Sequence, residues 1–455
     1  ENKAETWRQV PKGKDGAVEY LDGELVLKDA IKLAVKNNKD LLAIYEEREI
    51  ARGRKLESYS SVLPSLLANA GYTRLDDVNS LVFGGNLISL GFEDNYSADL
   101  TVRQPVFHSG GITAALRLGE LSTLLSDVVI RQTLQNIIFQ TAMNYYDVLL
   151  AQELLDVNQQ ALKFAESLLD DVRRKRSSGV ASDYDVLRAE VEVSNARAEL
   201  IRQQNAYDIA LTSLLKTMGI SQESKIKLSD KLSYRDEDIE LKNAVSIAMC
   251  NRPDLYQLEF AVYMQRETVR LTRSLGLPRV DAFFVQKWAN PDPHSSMSDE
   301  WGDAWTAGLS ASFPIFDAFQ SRGKLIQEKA RLRQAEMQLR NKEEIVLLEV
   351  KQAILGLQNA KEFVESQKTN LRRAEEGLRL IQTGYRQGVN TELSVMDAQT
   401  ALTRTKSLYY QALYSHMAAR LNLRRVVGIL SPEFMDEEFE KANNKSIYDQ
   451  KNEKE

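Results

Sequence analysis

The chain of 455 residues carries 59 Lys and Arg against 65 Asp and Glu, and its only strongly basic block is Arg173-Arg174-Lys175-Arg176, so nucleic acid is excluded as a partner. The lone Cys250 excludes a disulfide framework and a cysteine zinc site, and no run of 18 apolar residues exists, which excludes a membrane-spanning helix but not a β-barrel. Three scattered histidines, His108, His294 and His416, with no phosphate-binding glycine loop and no nucleophile elbow, oppose an enzyme and imply neither a metal nor a cofactor.

The chain starts at Glu1 rather than Met, which fits removal of an export signal or trimming, and residues 1–24 read as an N-terminal extension. A first half follows over 25–220. It opens with a short helix at Leu27-Lys28-Asp29-Ala30 and passes Val62-Leu63-Pro64 into alternating segments, Leu66, Ala68, Ala70, Tyr72 and then Tyr96, Ala98, Leu100, Val102. A two-residue period predicts strands with one apolar face, here near 66–74 and 96–104. The segment 75–95 between them reads as a loop.

No proline occurs from 106 to 252 or from 315 to 431, so both stretches predict long helices. The first runs from about 112 to 176, roughly 98 Å at 1.5 Å per residue. It turns at Ser177-Ser178-Gly179-Val180-Ala181-Ser182-Asp183, where glycine stops one helix and Ser182 or Asp183 caps the next. A linker over 221–238 leads to a second half, 239–430.

The second half repeats the first. Leu241-Lys242-Asn243-Ala244 matches the opening motif at an offset of 214, with Asn37/Asn251 and Leu63-Pro64/Leu277-Pro278 in step. Pro314-Ile315-Phe316 matches Pro105-Val106-Phe107 at an offset of 209, as do Gly388-Val389 and Gly428-Ile429 with Gly179-Val180 and Gly219-Ile220. Strands are expected near 280–288 and 305–313, with Trp288, Trp301 and Trp305 flanking the loop between them. Leu325, Leu332, Leu339, Val346, Ala353 and Ala360 form one heptad series, and Val350, Leu357, Val364, Leu371, Leu378 and Tyr385 another. Two overlapping series predict a helix with a neighbour on each side. The second turn spans 386–392, and 431–455 reads as a mobile polar tail.

A duplicated unit of about 210 residues is too long for a solenoid period. Four strands as an open sheet leave unpaired edges that lipid does not tolerate, so several chains must close one barrel: two would give eight strands and three would give twelve. A soluble coiled-coil scaffold is the alternative reading. It accounts for the heptads but not for paired strand regions in both halves.

In the order and spacing of Leu27-Lys28-Asp29-Ala30, Asn37-Asn38, Val62-Leu63-Pro64, Gln104-Pro105-Val106-Phe107 and the two Gly-Val turns, the chain resembles the TolC family of outer-membrane efflux proteins over roughly 25–430. The resemblance implies a mainly α fold with a transmembrane β-barrel. Three chains would give four strands each to a twelve-stranded barrel, continued by a long α-helical barrel through the periplasm. It implies a passive gated duct of a tripartite efflux or secretion system, and as partners the outer-membrane lipid, a periplasmic adaptor and an inner-membrane pump. Asp185 and Tyr385 resemble the family's gate hydrogen-bond pair, and Asp397 its second gate aspartate. Asn390 and Ser394 depart from the family's arginine and first aspartate. Gly179, Val180, Gly388 and Val389 resemble its adaptor-docking tips, flanked by Arg173, Arg174, Arg176 and Arg386.

Overall fold

The structure, a computed structural model, describes residues 20–431 except 79, 85, 90, 238, 296 and 297. The polar tail and most of the N-terminal extension therefore lie outside the described residues. The described chain divides into two compact units that each draw on both sequence halves: one takes residues 20–45, 129–255 and 341–431, the other 46–128 and 256–340.

In chain order the helices are α1 (Leu27–Asn37), α2 (Lys39–Ser58), α3 (Gly111–Ser177), α4 (Asp183–Met218), α5 (Leu241–Asn251), α6 (Pro253–Ser274), α7 (Gln320–Arg386) and α8 (Glu392–Val427). The strands are β1 (Asp22–Leu25), β2 (Ser65–Arg74), β3 (Ser80–Phe83), β4 (Asn86–Ser89), β5 (Asp94–Phe107), β6 (Lys225–Leu228), β7 (Arg279–Asn290) and β8 (Gly302–Ser312). Two pairings have no forerunner in the sequence reading. The expected loop 75–95 contains the antiparallel pair β3–β4, and β1 pairs in parallel with β6. Both are four-residue ladders, too short for a two-residue period to register.

The second unit is built on one antiparallel sheet in the order β2-β5-β7-β8, so among the described residues β2 and β8 are its open edges. Register sorts the two faces. Leu66, Val102, Phe284 and Ala307 lie in one cross-strand row, and Ala68, Leu100, Gln286 and Trp305 in the next. The opposite face carries Asn69, Asp99, Thr101 and Arg103, where Asn69 Nδ2 donates to Asp99 Oδ2 at 2.9 Å and Arg103 to Asp281 Oδ2 at 2.8 Å. The chain covers neither face of β2, all of whose residues are exposed. On β8 the apolar side chains of Trp305 and Leu309 are 68% and 73% exposed. An apolar sheet face with large side chains this exposed along its outer strands is of the kind that contacts another apolar phase.

The first unit has a single main core. Ala30, Ile31 and Ala34 of α1 pack with Ile138, Ala142, Tyr145 and Leu149 of α3, Leu214, Leu215 and Met218 of α4, and Ala412, Leu413 and Leu421 of α8. On α7 the buried residues Val346, Val350, Ala353, Leu357, Ala360, Val364 and Leu378 all belong to the two heptad series. Tyr145 is fully buried, and its hydroxyl donates toward Asp230 Oδ2 at 2.7 Å and Leu25 O at 3.0 Å.

Helix breaks are placed by specific residues. Asn38 ends α1 and caps α2, its Oδ1 accepting from the Asp40 and Leu41 amides at 3.0 and 3.2 Å while its Nδ2 donates to Thr217 O at 2.8 Å. Pro253 sits at the first position of α6, where its missing N–H costs nothing. Arg252, beside it, donates to Asp254 Oδ2 at 2.6 Å and pairs with Glu349, while Lys342 reaches Asp254 at 2.9 Å. Burial pushes the Asp254 carboxyl up, but Arg252 and Lys342 outweigh it and hold it at about 2.

Gly219 and Gly428 close α4 and α8 in the left-handed region, at φ 69 and 80. They are also close-approach points. A Cβ on Gly219 would lie 2.4 Å from Asn37 O, and one on Gly428 2.9 Å from the Asn251 carbonyl carbon. The helix ends of the short and long helices therefore touch through glycine. Gly219→Ala is expected to lose the left-handed preference, about 1–2 kcal/mol, and to add overpacking of about 1–3 kcal/mol. Gly179→Ala, with φ 73 and nothing within 4 Å, loses only the first. Thermal unfolding midpoints of the two variants check this; equal shifts would contradict it.

Candidate gate at the hairpin tips

Helices α3 and α4 form one hairpin and α7 and α8 a second. Both turns use the same device. Gly179 and Gly388 take φ 73 and 74, and the next amides reach back five residues, Val180 N to Lys175 O at 2.9 Å and Val389 N to Gly384 O at 2.8 Å. Val180 and Val389 are left 78% and 77% exposed, the most prominent apolar points of the tips.

Ser182 caps α4 in a capping box with Asp185. The Asp185 amide donates to Ser182 Oγ at 3.2 Å, and the Ser182 amide and hydroxyl donate to Asp185 Oδ2 at 2.8 and 2.7 Å. The backbone and hydroxyl donors of Ser182 hold the Asp185 carboxyl below the usual carboxylate range. Thr391 caps α8, accepting from the Ser394 amide at 3.3 Å, and the two hydroxyls lie 3.0 Å apart. Asp185 and Ser394 thus stand at the same capping position of the two hairpins.

The structure therefore does not join Asp185 to Tyr385. The Tyr385 hydroxyl donates instead to Asp171 Oδ2 at 3.2 Å, and Lys175 Nζ lies 3.6 Å from the centre of its ring. Beneath these polar contacts, Leu168, Val172 and Met396 are buried, with Phe164, Val186 and the Tyr385 ring packed around them. Burial raises the Tyr385 phenol; the Lys175 ammonium opposes that shift and Asp171 adds to it, so the phenol stays protonated and able to donate at neutral pH. Asp171 and Lys175 are one helical turn apart on α3 and tie the end of α7 to it. Their Asp-to-Lys spacing of four residues was visible in the sequence, but nothing there says which helix faces them.

Asn390 Nδ2 donates to Ile381 O at 3.1 Å and closes its own turn. Arg173 pairs with Glu190 across the hairpin at 2.7 Å, Arg176 pairs with Asp183, and Arg174 lies 3.6 Å from Asp171. Arg386 and Asp397 are exposed. Sequence reasoning also missed Glu392 at the first turn of α8, whose Oε1 is buried without a hydrogen-bond partner. Burial, with Asp185 nearby, raises its carboxyl.

The family model for outer membrane efflux proteins matches residues 30–220 and again 244–429, most of the chain. The chain belongs to the outer membrane efflux protein family. It is 24% identical to the outer membrane protein TolC of Escherichia coli K12 over 407 residues, covering 87% of this chain and 80% of that protein. It is 23% identical to the proteases secretion protein PrtF of Dickeya chrysanthemi, covering 90% and 89%. Among solved structures, the Campylobacter jejuni CmeC outer membrane channel superposes with a TM-score of 0.79 at 15% identity, covering 93% of this chain and 88% of that one. The open state of the Neisseria gonorrhoeae MtrE outer membrane channel gives 0.74 at 17% identity, covering 92% and 98%. The protein is thus an outer-membrane channel rather than an enzyme, and its fold is that of the channel structures.

Proposed function

We propose that three copies of this chain close a single twelve-stranded barrel through the β2 and β8 edges, and that their long helices continue it as a periplasmic tunnel. The observation that carries this reading is the sheet itself: one face apolar and uncovered, one face polar, and two edges of unpaired backbone groups. In lipid, closure through further copies satisfies those edges. A second uncovered seam supports the same assembly. On α4, Tyr184, Leu187, Val191 and Ile201 are exposed at heptad spacing, as expected of a helix that packs on a neighbouring chain.

Conduction is passive in this reading. The polar inner face and the tunnel supply a wetted path, and an inner-membrane pump supplies the energy. The Gly179-Val180 and Gly388-Val389 tips meet a periplasmic adaptor, with glycine permitting close approach and valine supplying apolar contact. Arg173, Arg174, Arg176 and Arg386 surround them, and Asp397 faces the conduit as one of three symmetry-related carboxylates. The Tyr385 to Asp171 and Lys175 tie keeps the two hairpins together at the closed end.

Cysteine pairs, one placed on β2 and one on β8 in a Cys250→Ser background, test the assembly by oxidative cross-linking in membranes. A ladder ending at the covalent trimer is expected. Cross-links that stop at a dimer, or none across the whole set of pairs, would overturn it.

A further inference from the structure

Between β6 and α5, residues 229–237, 239 and 240 form neither helix nor strand and run as a strap over the first unit. It is fastened at three points. Asp230 Oδ2 accepts from the Leu27 amide at 2.9 Å and from Tyr145 at 2.7 Å. Asp236 takes Lys361 Nζ of α7 at 2.6 Å. Glu237, nearly buried, pairs with Arg420 and accepts from Arg424 Nη2 at 3.0 Å, both on α8.

Under the strap lies His416 of α8, 1% exposed, its ring centre 4.7 Å from that of Tyr234. Its Nδ1 has no hydrogen-bond partner. A cavity of about 30 Å³ adjoins it, lined also by Tyr146, Ser233, Met417, Leu421 and the two arginines. Among the described residues, the titratable groups facing the imidazole are Tyr234, Asp236 and Glu237 from the strap, Arg420 and Arg424 from its own helix, Lys361 from α7 and Tyr146 from α3. Three cations thus stand against two carboxylates, and both carboxylates are already engaged by those cations.

We propose that His416 is the proton sensor of this strap: a proton on the imidazole adds a fourth cation to the cluster, and the strap lets go of α7 and α8. In the packed strap, burial, with Arg420 beside it, holds the imidazole below its ordinary 6.5. Released, the ring returns to that value. The released state therefore binds the proton more tightly, so the fastening is at full strength above about pH 6.5 and weakens as pH falls below it. The strap connects β6 to α5 and reaches both α7 and α8, so its release in acid loosens the second hairpin from the body of the first unit.

Hydrogen exchange of the strap amides in the detergent-solubilised full chain tests this, compared between about pH 7.5 and about pH 5 and corrected for the intrinsic rate. The wild type should exchange at least about tenfold faster in acid. His416→Phe, which keeps a ring but cannot take a proton, should show no acid response, and Glu237→Gln should exchange fast at both values. A flat wild-type response, or an acid response that survives His416→Phe, would overturn the proposal. Should the variant fail to assemble, exchange at the imidazole C2 position of the wild type decides: slow exchange with a midpoint below 6.5 supports the sensor, and a midpoint at or above it overturns it.

Discussion

Replacing Tyr385 with Phe and Asp171 with Ala together is expected to raise the resting single-channel conductance in planar bilayers several-fold, while Asp185→Ala leaves it near the wild-type level. The phenol-to-carboxylate bond is worth about 1.5–3 kcal/mol where sheltered, and the Lys175 contact with the ring adds about 0.5–1 kcal/mol. A tie of that size holds a closed state against thermal opening yet yields to a partner that contributes a few kcal/mol of differential binding. Asp185 by contrast spends its carboxylate on Ser182, so its loss removes only the reciprocal half of the capping box and leaves both the Ser182 cap and the hairpin contact in place. The reverse pattern, with Asp185→Ala opening the channel and the double variant silent, would return the gate to the pair that the family resemblance suggested.

Glu237→Ala should be the most destabilising single change outside the apolar core. It takes the Glu237 carboxylate away from Arg424, 6% exposed at its side chain, and from Arg420. Removing one partner of a buried ion pair costs about 3–5 kcal/mol, because the remaining charge stays desolvated. Thermal unfolding followed by far-ultraviolet circular dichroism should show a clear downward shift of the midpoint, much larger than for Lys361→Ala, whose pair with Asp236 is largely exposed. Similar shifts for both would mean that water reaches Glu237 and that the strap is already open.

The helices and the main sheet were legible because their signals are long. Proline-free stretches and heptads announce α3 and α7, and the in-register rows of the sheet follow the alternation seen at Leu66 to Tyr72 and Tyr96 to Val102. Glycine turns mark both tips for a local reason, since a left-handed residue is needed to stop each helix. The partner of Tyr385 was not legible. Which carboxylate meets Tyr385 depends on how the ends of two helices, more than 200 residues apart in sequence, are rotated against each other, and helical periodicity does not fix that rotation. Asp185 was further masked by its competing local role, because a carboxylate three residues after a serine cap satisfies backbone amides first. The strap was invisible for a different reason. It has no period, and its meaning lies entirely in the distant partners Tyr145, Lys361, Arg420 and Arg424.

Native mass spectrometry of the protein released from detergent micelles tests the central claim most directly, because among the described residues the main sheet of one chain is open and four-stranded, and the proposed duct closes it with further copies. The account predicts a single dominant species of three chains, three times 51.6 kDa, stable as detergent is diluted. A species of one or two chains under the same conditions would contradict it.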